Sequence, residues 1–418
     1  MSTSPDRKNR TFFPELAGLR TFAFWGIFLS HYNPSPTLSY WGNRIADWGW
    51  ASVDLFFCLS GFLITYLLLQ ERQEFGSVSI KNFYMRRILR IWPLYYLVIA
   101  CMTVYPLLHM NAARMDCYWR YINEGILPFL AFLGNFVLIF NLGSIVHLFH
   151  VWHLPEIHLI TVLLPFWSLC IEEQFYFVWP WMLKPIKRTS TLFVLYIALT
   201  VASFIGFSLL RRFVAFSGVT WTHFYYNTPS HIGAIMLGAM LGTAECKAPG
   251  WATKLVGKSG GFLLALVLLL GFAGIVKWMP SISTGRGSLD FVFPGLCIGC
   301  AGLLLLTLYW PPMRRLASNR IFVWLSNLTY CMYVVHFFIG DVCGGLIPGN
   351  ICNTEGKVWL AHLIIGSTLT FGVALVSWYC LESKMLALRK YFRREKLETV
   401  AATNDLTPER ELVKTGVS

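Results

Sequence analysis

An arginine and a histidine enclose the first apolar stretch of this chain. Arg20 and His31 are separated by ten residues, none of which carries a charge. On a helix, eleven positions span about three full turns and ~16 Å, so both side chains would lie on one face. Ionisable groups inside an apolar membrane helix are costly and are functional by default. One of these two groups is a permanent cation, and the other exchanges a proton near neutral pH.

The composition indicates that these residues belong to a membrane protein. Of the 418 residues, 56% are hydrophobic and 13% are charged, whereas a soluble domain carries about 25% charged residues. The 33 Phe, 17 Trp and 18 Tyr suit a bilayer, where aromatic rings sit at headgroup level. The net charge of +13 comes from basic residues at the ends of apolar segments, which is a topology signal. We therefore expect contact with a lipid bilayer and no nucleic acid partner.

The apolar segments predict an all-α, polytopic integral-membrane helical bundle of about 10–12 transmembrane helices. Basic residues recur in alternate loops, which predicts that both termini are cytoplasmic. The expected organisation is a cytoplasmic N-terminal segment 1–13, a membrane domain 14–383 and a cytoplasmic C-terminal tail 384–418. The stretch 144–183 could hold two passes, or one pass and a re-entrant segment. The segments that suggest crossings are 14–33, 50–70, 91–109, 126–142, 145–166, 167–183, 191–210, 230–243, 261–279, 290–310, 321–340 and 358–380.

The second and third apolar segments also carry polar groups. Asp54 lies near the outer start of the second segment, where a buried carboxylate needs a partner such as an outer-side histidine. Ser60 stands beside Gly61, and this step is either a packing notch between helices or part of a polar site. Arg87 and Arg90, three residues apart, are neighbours on a helix. Such a guanidinium pair suits phosphate, although basic residues at an inner boundary can also be a plain topology signal.

Two adjacent carboxylates stand out in the segment WSLCIEEQFY, residues 167–176. Glu172 and Glu173 point about 100° apart on a helix, so at most one of them faces a shared site. Glu173 is three residues before Tyr176, which could orient its carboxylate. His336 lies towards the outer end of a later segment, either as a site residue or as a histidine bonded between helices.

Four histidines cluster in a stretch rich in Trp and Leu. Ligands three residues apart could share one face, but Glu156 is the one carboxylate placed to complete a metal site. We expect interfacial aromatic packing here, with no metal and no cofactor. The four residues are His147, His150, His153 and His158.

Taken together, these segments resemble the acyltransferase 3 family of integral-membrane O-acyltransferases. The resemblance rests on PELAGLR with a histidine eleven residues after Arg20, VDLFF with SGFLI, FYMRRILRIWPLYY, WSLCIEEQFY and TYCMYVVH, in family order. It implies catalytic roles for His31, Asp54 and Glu173. Together with the spacing of these residues, it leads us to expect substrate binding by Arg20, Ser60, Arg87, Arg90, Glu172, Tyr176 and His336.

The resemblance also implies an activity. An acetyl group, or another short acyl group, would move from acyl-CoA to a hydroxyl of a carbohydrate or secondary metabolite, with His31 as general base. The implied partners are acyl-CoA as donor substrate and a glycan or small natural product as acceptor, at the plasma (inner) membrane. The competing class is a proton-coupled transporter or lipid flippase, because intramembrane Arg, His and Asp also serve proton relays. Many transporters contain inverted internal repeats, and we find none in this sequence.

Overall fold

The computed structural model describes residues 10–32, 39–108, 115–140, 162–217, 225–257, 259–278, 289–346 and 355–394. Every regular element in these ranges is helical. Long α-helices of 18 or more residues are α1 (Pro14–His31), α2 (Ser52–Phe75), α3 (Ile80–Leu108), α4 (Phe166–Leu183), α5 (Thr189–Ser217), α6 (Thr228–Lys247), α7 (Ser259–Trp278), α8 (Leu289–Tyr309), α9 (Thr329–Leu346) and α10 (Glu355–Ser377). Short helices or turns cover Tyr40–Asp47, Gly49–Ala51, Met115–Arg120, Tyr121–Ile126, Leu127–Leu130, Gly134–Phe140, Thr253–Val256, Pro311–Ala317, Arg320–Leu325, Trp378–Glu382, Ser383–Ala387 and Leu388–Phe392.

The helices are long and apolar enough for a multi-pass membrane protein. Within the described ranges, six continuous helical stretches meet the length and composition needed to cross a bilayer. The predicted all-α membrane fold is therefore confirmed. The predicted segment 145–166 lies mostly outside the described residues, and the four clustered histidines lie outside them entirely. The six stretches are Tyr40–Phe75, Ile80–Val104, Thr189–Leu210, Ser259–Lys277, Phe291–Tyr309 and Gly356–Phe392.

The segment 126–142, predicted as one crossing, is not a continuous helix. After Leu127–Leu130 the chain makes a tight turn, in which the N–H of Leu133 donates to the carbonyl of Pro128 at 2.8 Å. Phe132 within this turn has a φ of 56°, and a left-handed φ interrupts a right-handed helix. A new helix, Gly134–Phe140, begins beyond the turn.

The rotation of α1 about its own axis is set by two polar contacts. Glu15 is fully buried, and both its carboxylate oxygens accept hydrogen bonds from the guanidinium of Arg10, each at 2.9 Å. One turn and a half later, the hydroxyl of Thr21 donates to the backbone carbonyl of Phe322 at 2.8 Å. These contacts determine which face of α1 is turned towards the neighbouring helices.

Helices α2 and α6 approach each other closely along a seam of glycines. A Cβ atom at Gly61 would overlap the backbone carbonyl of Ile235, and one at Gly238 would overlap the carbonyl of Cys58. Small residues allow such an approach of two helix backbones inside a membrane. The predicted packing notch is thus confirmed for Gly61.

The two ends of the bundle carry different chemistry. Helix α2 ends at Phe75, and Gly76, with a φ of 71°, turns the chain into α3, as glycine commonly does after a helix. Helix α3 begins at Ile80, well before the start at 91 predicted for that crossing. We call this end the arginine end, and we call the end where α1 stops and α2 starts the histidine end.

Candidate active site

Three arginines from two helices line one cavity. Arg20 of α1 and Arg87 and Arg90 of α3 all contribute to its wall. The guanidinium of Arg87 lies 5.6 Å from the ring centre of Tyr176, and its buried Nε atom has no hydrogen-bond partner. Within the described residues, none of the three guanidiniums forms an ion pair or a hydrogen bond. The cavity therefore presents an excess of positive charge to whatever enters it.

A hydroxyl and a carboxylate face these arginines across the cavity. Ser60 of α2 donates to Oε1 of Glu172 at 2.5 Å. The hydroxyl of Tyr176 lies 3.1 Å from the hydroxyl of Ser60 and 3.2 Å from Oε2 of Glu172. The same three side chains line the cavity, so Ser60 has a polar role here while the adjacent glycine provides the packing notch.

The helix period explains why α4 supplies this wall. Ser168, Glu172 and Tyr176 are four residues apart and therefore share one face of α4. All three line the cavity. Glu173 is turned away from that face, and its Oε2 accepts a hydrogen bond from the indole of Trp92 at 3.2 Å. The expectation that Tyr176 orients Glu173 is wrong, because the tyrosine donates to Glu172.

The cavity is narrow and runs from the arginines towards the histidine end. About 80 Å³ is open to the centres of water-sized molecules, enough for a few waters. Beyond Ser60 the wall includes Ile27 of α1 and Tyr333 of α9. The hydroxyls of Ser168 and Tyr333 are 2.7 Å apart. The polar lining thus reaches Tyr333, whose backbone carbonyl contacts His336.

Two histidines form a hydrogen-bonded chain at the histidine end. The Nδ1 of His336 lies 2.7 Å from the carbonyl of Tyr333, and a carbonyl can only accept, so this nitrogen donates. In neutral His336 the Nε2 then accepts, and its partner at 3.1 Å is Nδ1 of His31. The hydrogen-bond network therefore assigns the proton of neutral His31 to Nδ1. Its Nε2 keeps a free lone pair, and no group in the described ranges donates to it.

Aromatic rings enclose one of these histidines and leave the other open. His336 is fully buried, with the rings of Phe24 and Phe28 packed 5.9 and 6.3 Å from its own ring. His31 is exposed and stands edge to face with Phe337 at 4.6 Å. His31 does not line the arginine cavity. A substrate could reach its ring from outside the packed core.

The stripe predicted on α1 has the expected helical spacing. Arg20 and Ile27 line the cavity, while Phe24 and His31 touch the ring of His336. Positions 20, 24, 27 and 31 repeat at the i, i+4, i+7, i+11 spacing of a single helix face. The contacts of both ends of this stripe point to the same side of α1.

Asp54 lies outside the cavity, and its partner is a histidine that the sequence did not single out. Its Oδ1 is 2.8 Å from Nδ1 of His231 on α6, and both residues are fully buried. The Nε2 of His231 is 2.6 Å from the carbonyl of Tyr225. The prediction of a histidine partner for Asp54 is confirmed. The partner lies on α6, since α2 turns Asp54 towards α6 and Ser60 towards α4.

A known protein family matches most of this chain. The sequence profile of the acyltransferase 3 family, described as an acyltransferase domain, matches residues 13–379. The chain belongs to this family. The match includes every cavity and histidine residue described above, and the domain it defines is an acyltransferase domain of a multi-pass membrane protein.

Several curated relatives are named as O-acetyltransferases. A peptidoglycan O-acetyltransferase of Listeria monocytogenes is 25% identical over 389 residues, covering 90% of this chain and 56% of the relative. A Bacillus subtilis protein that carries the same name provisionally is 24% identical over 407 residues, 93% of this chain and 57% of the relative. A Staphylococcus aureus protein provisionally named an O-acetyltransferase is 26% identical over 386 residues. The chain spans little more than half the length of these relatives. No solved structure matches it.

Proposed function

We propose that this protein is an O-acyltransferase that transfers an acetyl or other short acyl group from acyl-CoA to a hydroxyl of a carbohydrate or secondary metabolite. Its relatives by name act on peptidoglycan, a glycan, which favours a glycan among these acceptors. No metal or cofactor takes part in the proposed reaction. The basic residues of the arginine end fit a cytoplasmic orientation of that end in the plasma membrane.

The observation that carries the proposal is the free nitrogen of His31. A chain from the Tyr333 carbonyl through His336 fixes the tautomer of His31 and leaves Nε2 ready to accept a proton. A base whose second nitrogen is held by a further group is the usual arrangement for activating a nucleophile. The exposure of His31 supports access by a bulky hydroxyl compound.

The chemistry then balances as a single acyl transfer. Nε2 of His31 takes the proton from the acceptor hydroxyl as its oxygen attacks the thioester carbonyl. A carbon–oxygen bond forms, the carbon–sulfur bond breaks, and the proton passes from His31 to the leaving CoA thiolate, which regenerates the base. Proton transfer by a positioned base contributes typically ~10²–10⁴ in rate.

The arginine cavity is assigned to the donor in this proposal. Arg20, Arg87 and Arg90 supply three cations against the one carboxylate of the lining, Glu172, and guanidiniums bind phosphate oxygens in pairs. Ser60, Glu172 and Tyr176 would contact the arm of the donor, and the apolar part of the α1 stripe leads that arm towards the histidines. Donor and acceptor would thus enter from opposite ends of one track. Asp54 and Glu173, outside the cavity lining, would act through packing and charge rather than on the reacting atoms.

The experiment is a transfer assay with isotopically labelled acetyl-CoA. Purified full-length protein in lipid nanodiscs is incubated with soluble peptidoglycan fragments or simple glycans, and the acceptors are searched by mass spectrometry for one added acetyl mass. We expect labelled ester to form with wild-type protein and to vanish on mild alkaline treatment. A parallel search compares surface glycans from cells with and without the gene. Absence of donor binding together with absence of any lost acyl mass would refute the proposal.

A further inference from the structure

The short segment after the last long helix folds back onto the arginine end. The turn Leu388–Phe392 packs against α3, where Arg86 donates to the carbonyl of Phe392 at 2.8 Å. Two residues later, Arg394 donates to the carbonyl of Ser77 at 2.9 Å. The sequence predicts that this segment belongs to a cytoplasmic tail, but the backbone carbonyl of Phe392 and the side chain of Arg394 anchor it to the arginine end.

One carboxylate secures the anchoring arginines. Glu71, near the end of α2, lies 3.1 Å from Arg86 and 3.6 Å from Arg394. The same carboxylate accepts a hydrogen bond from the N–H of Ser79 at 2.8 Å. The single charge of Glu71 offsets part of the positive charge of Arg86 and Arg394, which serve as tethers for the segment.

Arg389, in the middle of this segment, has no such carboxylate. Its side chain is half-buried, whereas Lys390 beside it is exposed. Its electrostatic neighbours are other arginines, with Arg87 and Arg90 the strongest and Arg20 the weakest. Within the described residues, Arg389 forms no ion pair or hydrogen bond.

Arg389 is thus a fourth guanidinium without an ion pair among the described residues, and it lies near Arg87 and Arg90 beside the cavity that they line. Like charges close together in a partly buried site repel one another, and the nearby Glu172 is already hydrogen-bonded to Ser60 and Tyr176. An arrangement of this kind is stabilised when a polyanion binds. Arg389 does not line the cavity itself, but its turn packs against α3, the helix that carries Arg87 and Arg90.

We propose that Arg389 is a fourth phosphate-binding residue, which holds the nucleotide end of the donor at the mouth of the cavity while Arg20, Arg87 and Arg90 hold the part that enters. The proposal rests on the proposed function, in which the donor is acyl-CoA. It goes beyond the family assignment, because the family match ends at residue 379 and does not include this segment. The tethers through Glu71 make the segment a fixed part of the donor site.

The test measures CoA binding by titration calorimetry on full-length protein in nanodiscs of phosphatidylcholine alone, so that no anionic headgroup competes. The variants are Arg389→Gln and the matched control Lys390→Gln, each of which removes one positive charge from the same turn. A hydrogen-bonded charge contact predicts a rise in Kd of about tenfold or more for Arg389→Gln. Lys390→Gln should change Kd by less than about twofold. Arg389→Lys, which keeps the charge but loses the planar fork, should fall between them.

Each outcome has a distinct meaning. Equal Kd values for Arg389→Gln and Lys390→Gln overturn the role of Arg389 while leaving the donor assignment intact. Failure of the wild-type protein to bind CoA overturns the donor assignment itself. If Arg389 instead holds a lipid headgroup, Arg389→Gln changes CoA affinity only after phosphatidylglycerol is added to the discs. That result also overturns the proposal. Thermal unfolding of each variant establishes that the binding data come from folded protein, and Arg389→Lys carries the test if Arg389→Gln does not fold.

Discussion

Two hydrogen-bonded pairs that contain histidine, Asp54–His231 and His31–His336, lie at the histidine end of this protein. They differ in how many histidine nitrogen atoms form hydrogen bonds. His231 is fully buried and has both ring nitrogens engaged, one with Asp54 and one with the carbonyl of Tyr225. His31 is exposed and uses only Nδ1, against His336. The first pair has no nitrogen left for a ligand, whereas the second ends in an Nε2 to which no group in the described part of the chain donates.

This difference separates a structural pair from a candidate base better than residue type does. Both pairs join distant parts of the chain inside an apolar bundle, and in both pairs a backbone carbonyl fixes one histidine. A catalytic base must still have an atom that can reach the substrate. Oδ2 of Asp54 also lacks a hydrogen-bond partner among the described residues, but Asp54 is fully buried. Of the four side chains of the two pairs, which are Asp54, His231, His31 and His336, His31 is the one that is exposed.

The most severe loss of activity should follow His31→Ala. Removal of the base is expected to lower the transfer rate by ~10²–10⁴, with little change in thermal stability because the side chain is exposed. The assay uses labelled acetyl-CoA and compares equal amounts of folded protein. Near-normal transfer by a folded His31→Ala variant would erase the functional distinction between the two pairs.

His231→Ala should instead act on stability. Removing one partner of a buried, hydrogen-bonded pair leaves Asp54 unpaired in the core and costs about 3–5 kcal/mol. The variant should unfold at a clearly lower temperature or accumulate poorly, while the molecules that remain folded transfer acyl groups at close to the wild-type rate. A stable His231→Ala protein with a large rate defect would move this pair into the catalytic group.

His336 offers an intermediate test, because it would position the base rather than touch substrate. His336→Leu removes the acceptor for Nδ1 of His31 and should lower kcat by roughly 10- to 100-fold, with the KM for the donor unchanged. His336→Gln restores a carbonyl acceptor and should recover part of kcat. If Leu and Gln give the same kcat, the tautomer argument for His31 is wrong.

The smallest effects are expected from the two adjacent carboxylates of α4. Glu172 lines the cavity and bonds Ser60 and Tyr176, so Glu172→Gln should reduce kcat/KM by about tenfold. Glu173→Gln removes a charge outside the lining and should reduce it by less than about threefold. A larger loss for Glu173→Gln than for Glu172→Gln would reverse the assignment of the cavity face.

Helical periodicity accounts for what the sequence could predict. The spacing of Arg20 and His31 and the neighbouring positions of Arg87 and Arg90 depend only on local geometry, and the structure has them as expected. The sequence did not decide which face of α4 meets the site, because Glu172 and Glu173 both lie within reach of Tyr176 by spacing alone. The choice between them depends on where Ser60 of α2 lies, which is a property of the packed bundle.

Long-range partners were beyond such reasoning. Asp54 and His231 are 177 positions apart. Nothing in the sequence around His231 indicates that it is the hydrogen-bond partner of Asp54. Arg389 was missed for a different reason, since its polar, basic surroundings are typical of a tail. In LALRKYF, residues 386–392, apolar and aromatic residues stand on both sides of the two basic ones. This pattern is the one signal that could have indicated a segment packed against the bundle.

The glycine seam between α2 and α6 also limits how the molecule can move. Two backbones in such close contact, with the buried Asp54–His231 pair between them, behave as one rigid body, since packed interiors are not continuously deformable. The cavity leaves only about 80 Å³ for the centres of water-sized molecules. One of its walls is α2, so any widening of the cavity has to come from the opposite walls formed by α1, α3, α4 and α9. Hydrogen exchange should accordingly be slowest in the α2–α6 pair and should change on donor binding in the helices that face it.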